Sequence, residues 1–156
     1  MSSYSIVEEV QKAIQGEAYI AALGLALTIP DMCCGAGSLG RDYASWFNQY
    51  VQNTYINGDE CYALRCSLLH QQTGEINGQR ILQNRELWFT LNIPSNKNSL
   101  RIQLYVDDPE EENEKDKRIV EIDADLLAKQ ILSGYRCFVE SNPDFIEEHP
   151  RIVIVK

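Results

Sequence analysis

Two side chains in this sequence have the chemistry for metal-free work on a phosphodiester. They are Arg65 and His70, within the string Tyr62-Ala63-Leu64-Arg65-Cys66-Ser67-Leu68-Leu69-His70-Gln71. An imidazole titrates near neutral pH and can take or give a proton. A guanidinium stays charged and grips phosphate oxygens in a fork. His70 would activate a ribose 2′-hydroxyl, and Arg65 would hold the negative charge that builds at phosphorus. No metal and no cofactor enters that scheme. The geometry sets a condition, however. At about 100° per residue, a five-residue step turns the two side chains roughly 140° apart on one helix. A shared site needs a distorted helix or a second copy across a two-fold axis, where one patch meets itself.

Tyr62, Cys66 and Asp59 are the supporting candidates around this pair. Cys66 and His70 lie four residues apart, on one helical face. Such a pair can make a thiolate nucleophile or half of a zinc site. Cys33, Cys34 or Cys61 could complete a metal shell only if the fold brings them close. Adjacent cysteines and a lone Cys-x-x-x-His are not a zinc spacing, so no metal is expected. The cysteines then fill helix interfaces as small hydrophobes. A structural alternative stands beside the catalytic one. Arg65 could pair with Asp31, Asp59 or Glu60, and His70 could cap the end of its helix. Trp88, Phe89 and Arg101 could stack on a base and hold a phosphate, although hairpin aromatics more often face a core. There is no Gly-rich phosphate loop and no Ser-centred nucleophile elbow. His149, before Pro150 in a polar tail, is unremarkable.

The elements that must carry these residues are mostly helical. Residues 5–29 read as one long helix, with Ile6, Val10, Ala13, Ile14, Ala18 and Ala21 at three- and four-residue steps. Beyond Ala18 it is apolar nearly all round, as a surrounded helix is. Pro30 marks its end. A second helix spans residues 42–52, with Tyr43, Trp46, Phe47, Tyr50 and Val51 on one stripe. A third spans residues 60–72, with Asp59 as its N-cap. Residues 87–93 and the alternating run from Leu100 to Val106 predict an antiparallel hairpin. Ile119, Val120 and Ile122 suggest a short third strand. Asp123 or Asp125 caps a final helix that reaches Glu140, with Leu127, Ile131, Tyr135 and Phe138 as its buried stripe. Ile152 to Val155 form an edge strand or a docking arm.

The reading is therefore a mainly α (α+β) domain. It is a bundle of about four helices, with a small antiparallel hairpin or sheet inserted before the last one. Residues 1–156 make one domain: a helical core at 1–80, the hairpin and an acidic loop at 81–122, and the final helix and tail at 123–156. At 156 residues and 44% hydrophobic, the chain is long enough to bury a real core. The apolar stretch at residues 18–29 falls short of the roughly 20 residues a bilayer span needs. The first residues lack the basic region and apolar core of a secretory signal. An odd cysteine count without such a signal argues against a disulfide framework. A cytoplasmic protein with no membrane contact is expected.

The net charge of −9 opposes indiscriminate nucleic-acid binding. It is unevenly placed: residues 107–125 carry a net −7, whereas residues 65–106 carry a net +3. A local basic site beside an acidic loop is compatible with that pattern.

The Arg-x-x-x-x-His string on a late helix of a small bundle resembles the HEPN (higher eukaryotes and prokaryotes nucleotide-binding) superfamily. The resemblance covers roughly residues 5–72, with the last helix. It implies a metal-independent RNase or a nucleotide- or RNA-binding protein of a bacterial toxin or defence system. Arg65 and His70 would act at a homodimer interface. Cys66 stands where that superfamily commonly has a polar residue, often Asn. The strings Ile29-Pro30-Asp31-Met32-Cys33 and Tyr62 to Gln71 also look like those of small bacterial proteins of unknown function. The alternative class is a non-catalytic protein-interaction module, one subunit of a larger assembly, in which Arg65 and His70 are structural.

Overall fold

The expected long first helix is two helices, and an unexpected third follows at its end. In the computed structural model, which describes residues 5–52, 54–70, 86–94, 102–104, 117–145 and 147, α1 spans Ile6–Gln15, α2 Tyr19–Ala26 and α3 Ile29–Cys34. The first break is a Schellman turn. Ala18 N–H donates to the Ala13 carbonyl at 2.8 Å and Glu17 N–H to that of Ile14 at 3.0 Å. The left-handed residue that closes such a turn is usually glycine, but here it is Glu17, with φ of 58°. Gly16 sits one position too early to take that role.

Pro30 does not end a helix; it opens one. It occupies the first turn of α3, where its missing N–H has no helical partner to lose. At the end of α2 the Thr28 hydroxyl and N–H both donate to the Leu25 carbonyl, at 2.7 and 3.0 Å. As its all-round apolar surface predicts, Ala22, Leu23 and Ala26 of α2 are buried.

α4 (Gly40–Tyr50) and α5 (Gly58–His70) follow. The α4 stripe lies as read, with Tyr43, Trp46 and Phe47 buried. The N-cap of α5 is Asn57 rather than Asp59. Asn57 Oδ1 accepts from Glu60 N–H at 2.9 Å, and Glu60 Oε2 accepts from Asn57 N–H at 3.0 Å. This reciprocal box satisfies two backbone donors at once, and it leaves Asp59 exposed in the first turn. α4 and α5 meet closely at Gly58. A Cβ there would lie 2.1 Å from the Ala44 carbonyl oxygen, so only glycine fits.

A three-stranded sheet, β1 (Glu86–Asn92), β2 (Ile102–Leu104) and β3 (Lys117–Asp123), precedes α6 (Ala124–Ser141). The hairpin is antiparallel, with Phe89 opposite Leu104. The third strand departs from the all-antiparallel expectation. β3 lies on the far side of β1 and runs parallel to it, Phe89 beside Val120 and Leu91 beside Ile122. That register sets Phe89, Leu91, Val120 and Ile122 together, and all four are buried. Glu121 and Asp123 alternate with them and are exposed. Alternation along a strand fixes its inner face but not which edge of a neighbour it joins.

The mainly helical reading with a small β insert before the last helix holds. Asp123 Oδ1 caps α6 by accepting from Leu126 N–H at 2.9 Å. Leu127, Ile131 and Phe138 of α6 face the core, which α2, α4 and the sheet share. Among the described residues, no helix is long and apolar enough to cross a membrane. The acidic segment before β3 and the Ile152–Val155 run lie outside the described residues.

Candidate functional site

α5 carries the candidate residues, and Arg65 is committed within the fold. Its Nε donates to Asp31 Oδ2 at 2.8 Å. Asp31 sits on α3, so the ion pair ties two helices that are 34 positions apart in sequence. The two side chains keep 22% and 32% of their surfaces exposed, so the pair is neither sealed nor free in solvent. Asp31 was one of three acids that sequence offered as a structural partner. Asp59 is exposed, and Glu60 is buried and engaged with Asn57.

Tyr62 lies one turn before Arg65, and the guanidinium carbon stands 5.9 Å from its ring centroid. That is cation–π range. Tyr62 in turn tilts against Tyr43 of α4 at 5.3 Å. The buried Tyr43 hydroxyl donates to the Leu27 carbonyl at 2.8 Å and lies 3.7 Å from Cys61 Sγ. Arg65 also reaches Cys66 Sγ, 3.8 Å from one terminal nitrogen. Asp31, Arg65, Tyr62 and Tyr43 thus form a chain of contacts from α3 through α5 to α4.

The electrostatics follow from these contacts. Burial alone would lower the Arg65 pKa, but the Asp31 charge and the hydrogen bonds to Cys66 and Asp31 raise it above the usual value. Burial pushes the Cys61 thiol up to about 12. It pushes Cys33 up further, helped by Cys34 and Glu147. Cys34 is raised by burial and by Asp42 and Asp31. These three sulfurs are thiols at neutral pH, not nucleophilic thiolates. Among the described residues, no group of three or more His, Cys, Asp or Glu could hold a metal ion.

His70 is the last residue of α5, five positions after Arg65, and its side chain lies outside the described residues. The structure therefore joins Arg65, Tyr62 and Cys66, leaves Asp59 apart, and adds Asp31 and Tyr43.

A second place escaped the sequence altogether. A cavity of about 500 Å³ opens where β3 hands over to α6. It is lined by residues 54–56, residues 120–123, Asn92, and Leu126, Leu127 and Gln130 of α6. Pockets for small ligands run about 300–1,000 Å³. Tyr55 is 84% exposed and Leu126 47%, unusual for large apolar side chains at the same cavity. Its walls come from segments about sixty residues apart in the chain, and no local pattern announces that.

Comparison with protein-family models, with curated proteins and with solved structures returns no match.

Proposed function

We propose that this chain is a non-catalytic protein-interaction module in which Arg65 and His70 serve the fold. One observation carries the reading: Arg65 Nε is bound to Asp31 Oδ2 at 2.8 Å, between α5 and α3. A phosphate would have to compete with a carboxylate held beside it. The Tyr62 ring and the Cys66 sulfur brace the same guanidinium, which fits a strut better than a ligand clamp.

A second reading is a metal-independent RNase, cytoplasmic and homodimeric, of a bacterial toxin or defence system. Arg65 would bind phosphate and His70 would be the general base. It draws on the part-exposure of Arg65, 22% of the side chain, on the helix that also carries His70.

RNA cleavage in EDTA by wild type, Arg65→Ala and His70→Ala, with Tm recorded for each, separates the two. The module reading expects no cleavage by wild type and a lowered Tm for Arg65→Ala. Cleavage by wild type that both substitutions abolish, with Tm and oligomeric state unchanged, would replace it with the RNase.

A further inference from the structure

After α6 the chain reverses in a turn at Pro143 and Asp144. Asn142 Nδ2 donates to the Phe138 carbonyl at 2.8 Å, and Phe145 N–H donates to the Asn142 carbonyl at 2.9 Å. Phe145 is thereby laid back on Phe138 and Tyr135, with ring centroids 4.9 and 6.3 Å away. Glu147 then clasps the start of α1. Its carboxylate accepts from Ser5 Oγ at 3.0 Å and from Ile6 N–H at 2.8 Å. The Tyr135 phenol of α6 hydrogen-bonds to the same carboxylate. On α3, burial and Cys34 raise the pKa of the Cys33 thiol, and the Glu147 charge adds to that. One carboxylate therefore acts on groups of α1, α3 and α6.

α1 has a cap of its own besides this distant one. Ser5 and Glu8 stand at capping-box spacing, and half of the box is made: Ser5 Oγ accepts from Glu8 N–H at 3.4 Å. The other half is not. Glu8 is exposed, and among the described residues its carboxylate accepts no hydrogen bond. With Glu147 in place, a second carboxylate at the same helix end is repelled. With Glu147 gone, Glu8 can close the box and supply the negative charge that a helix N-terminus favours. The clasp is also lightly held. Phe145 and Glu147 are only half-buried, and both hydrogen bonds to α1 lie where water can replace them.

We propose that Glu147 is a latch: it holds Phe145 over Tyr135 and Phe138 and beside Cys33, and its release bares that face while α1 and the core stay folded. The latch is worked by charge. The hydroxyl that Ser5 donates keeps Glu147 seated, and a negative charge on that side chain drives it off. This assignment stands apart from the role of Arg65.

Two substitutions in the full-length chain test it. Ser5→Asp keeps a good helix cap but exchanges the donor to Glu147 for a repelling charge. Ser5→Asn keeps both the cap and a donor. The readout is site-resolved alkylation by N-ethylmaleimide. Cys33 should react at least tenfold faster in Ser5→Asp than in wild type, and at the wild-type rate in Ser5→Asn. The sign is diagnostic, because an added negative charge alone would slow a reaction that needs the Cys33 thiolate. In both variants the buried Cys61 stays unlabelled, and the buried Val10 amide of α1 keeps its protection from hydrogen exchange. A Cys33 rate in Ser5→Asp no higher than in wild type overturns the latch. An equal rise in Ser5→Asn does so too, since charge is then not what works it. Labelling of Cys61 or loss of Val10 protection in Ser5→Asp also overturns it, because the fold then depends on the clasp.

Discussion

Arg65 shows how much a single residue can and cannot say. Its type and its spacing from His70 suggested phosphate chemistry, and the short list of acidic partners was equally readable. Which acid it takes was not, because Asp31 is brought there by a helix 34 positions away. Asp31→Asn or Arg65→Met leaves the remaining partner part-buried and poorly satisfied, at a cost of roughly 1–2 kcal/mol each. The double variant should cost less than the two together, and a denaturant-based double-mutant cycle measures the difference. Glu17 makes the opposite case. It holds a left-handed conformation, φ 58°, which costs a non-glycine residue on the order of 1 kcal/mol. Glu17→Gly relieves that strain but adds chain entropy to the unfolded state. A net gain of roughly 0.5 kcal/mol and a slightly higher Tm are expected.

The elements were legible where periodicity is strong. The stripe from Tyr43 to Val51 and the stripe from Leu127 to Phe138 both face the core, since three- and four-residue spacing is a direct consequence of helical geometry. The breaks were hidden. An apolar run reads through Gly16-Glu17-Ala18 because a glycine within a helix is tolerated at about 1 kcal/mol; tertiary packing of α1 across α2 demands the turn instead. At the α4–α5 crossing the constraint is steric. Gly58→Ala would drive a Cβ into the Ala44 carbonyl, and its backbone N–H is already held by Asn48 Oδ1 at 2.7 Å. The helices must separate, so a loss of about 2–3 kcal/mol is expected in chemical unfolding. Gly24→Ala is the control. Among the described residues its Cβ would meet only the Leu69 side chain, at an ordinary 3.9 Å.

The whole molecule should be sensitive to alkali. Burial raises the folded pKa of Cys33, Cys34, Cys61, Tyr43, Tyr62 and Tyr135. Each group keeps its proton in the fold beyond the pH at which the unfolded chain loses it. Their contribution is complete below the unfolded values, near 9 for thiols and 10 for phenols, and is lost as pH rises. Stability should therefore begin to fall near pH 9. Each raised group adds a slope of up to about 1.4 kcal/mol per pH unit. For Cys61 that window closes at about 12. Cys61→Ala should flatten the profile between pH 9 and 10.5, measured by denaturant midpoints.

By itself the sequence determined the helical character, the small β insert, the inner faces of α4 and α6, and the residues with chemical potential. All of these depend on local spacing and side-chain type. Only the tertiary structure decided that Arg65 answers to Asp31, that β3 joins β1 in parallel, and that residues 54–56 meet the β3–α6 junction around a cavity. Each of these joins segments that are distant in the chain, and such pairings are chosen by competition among packed surfaces, which no local window of residues contains.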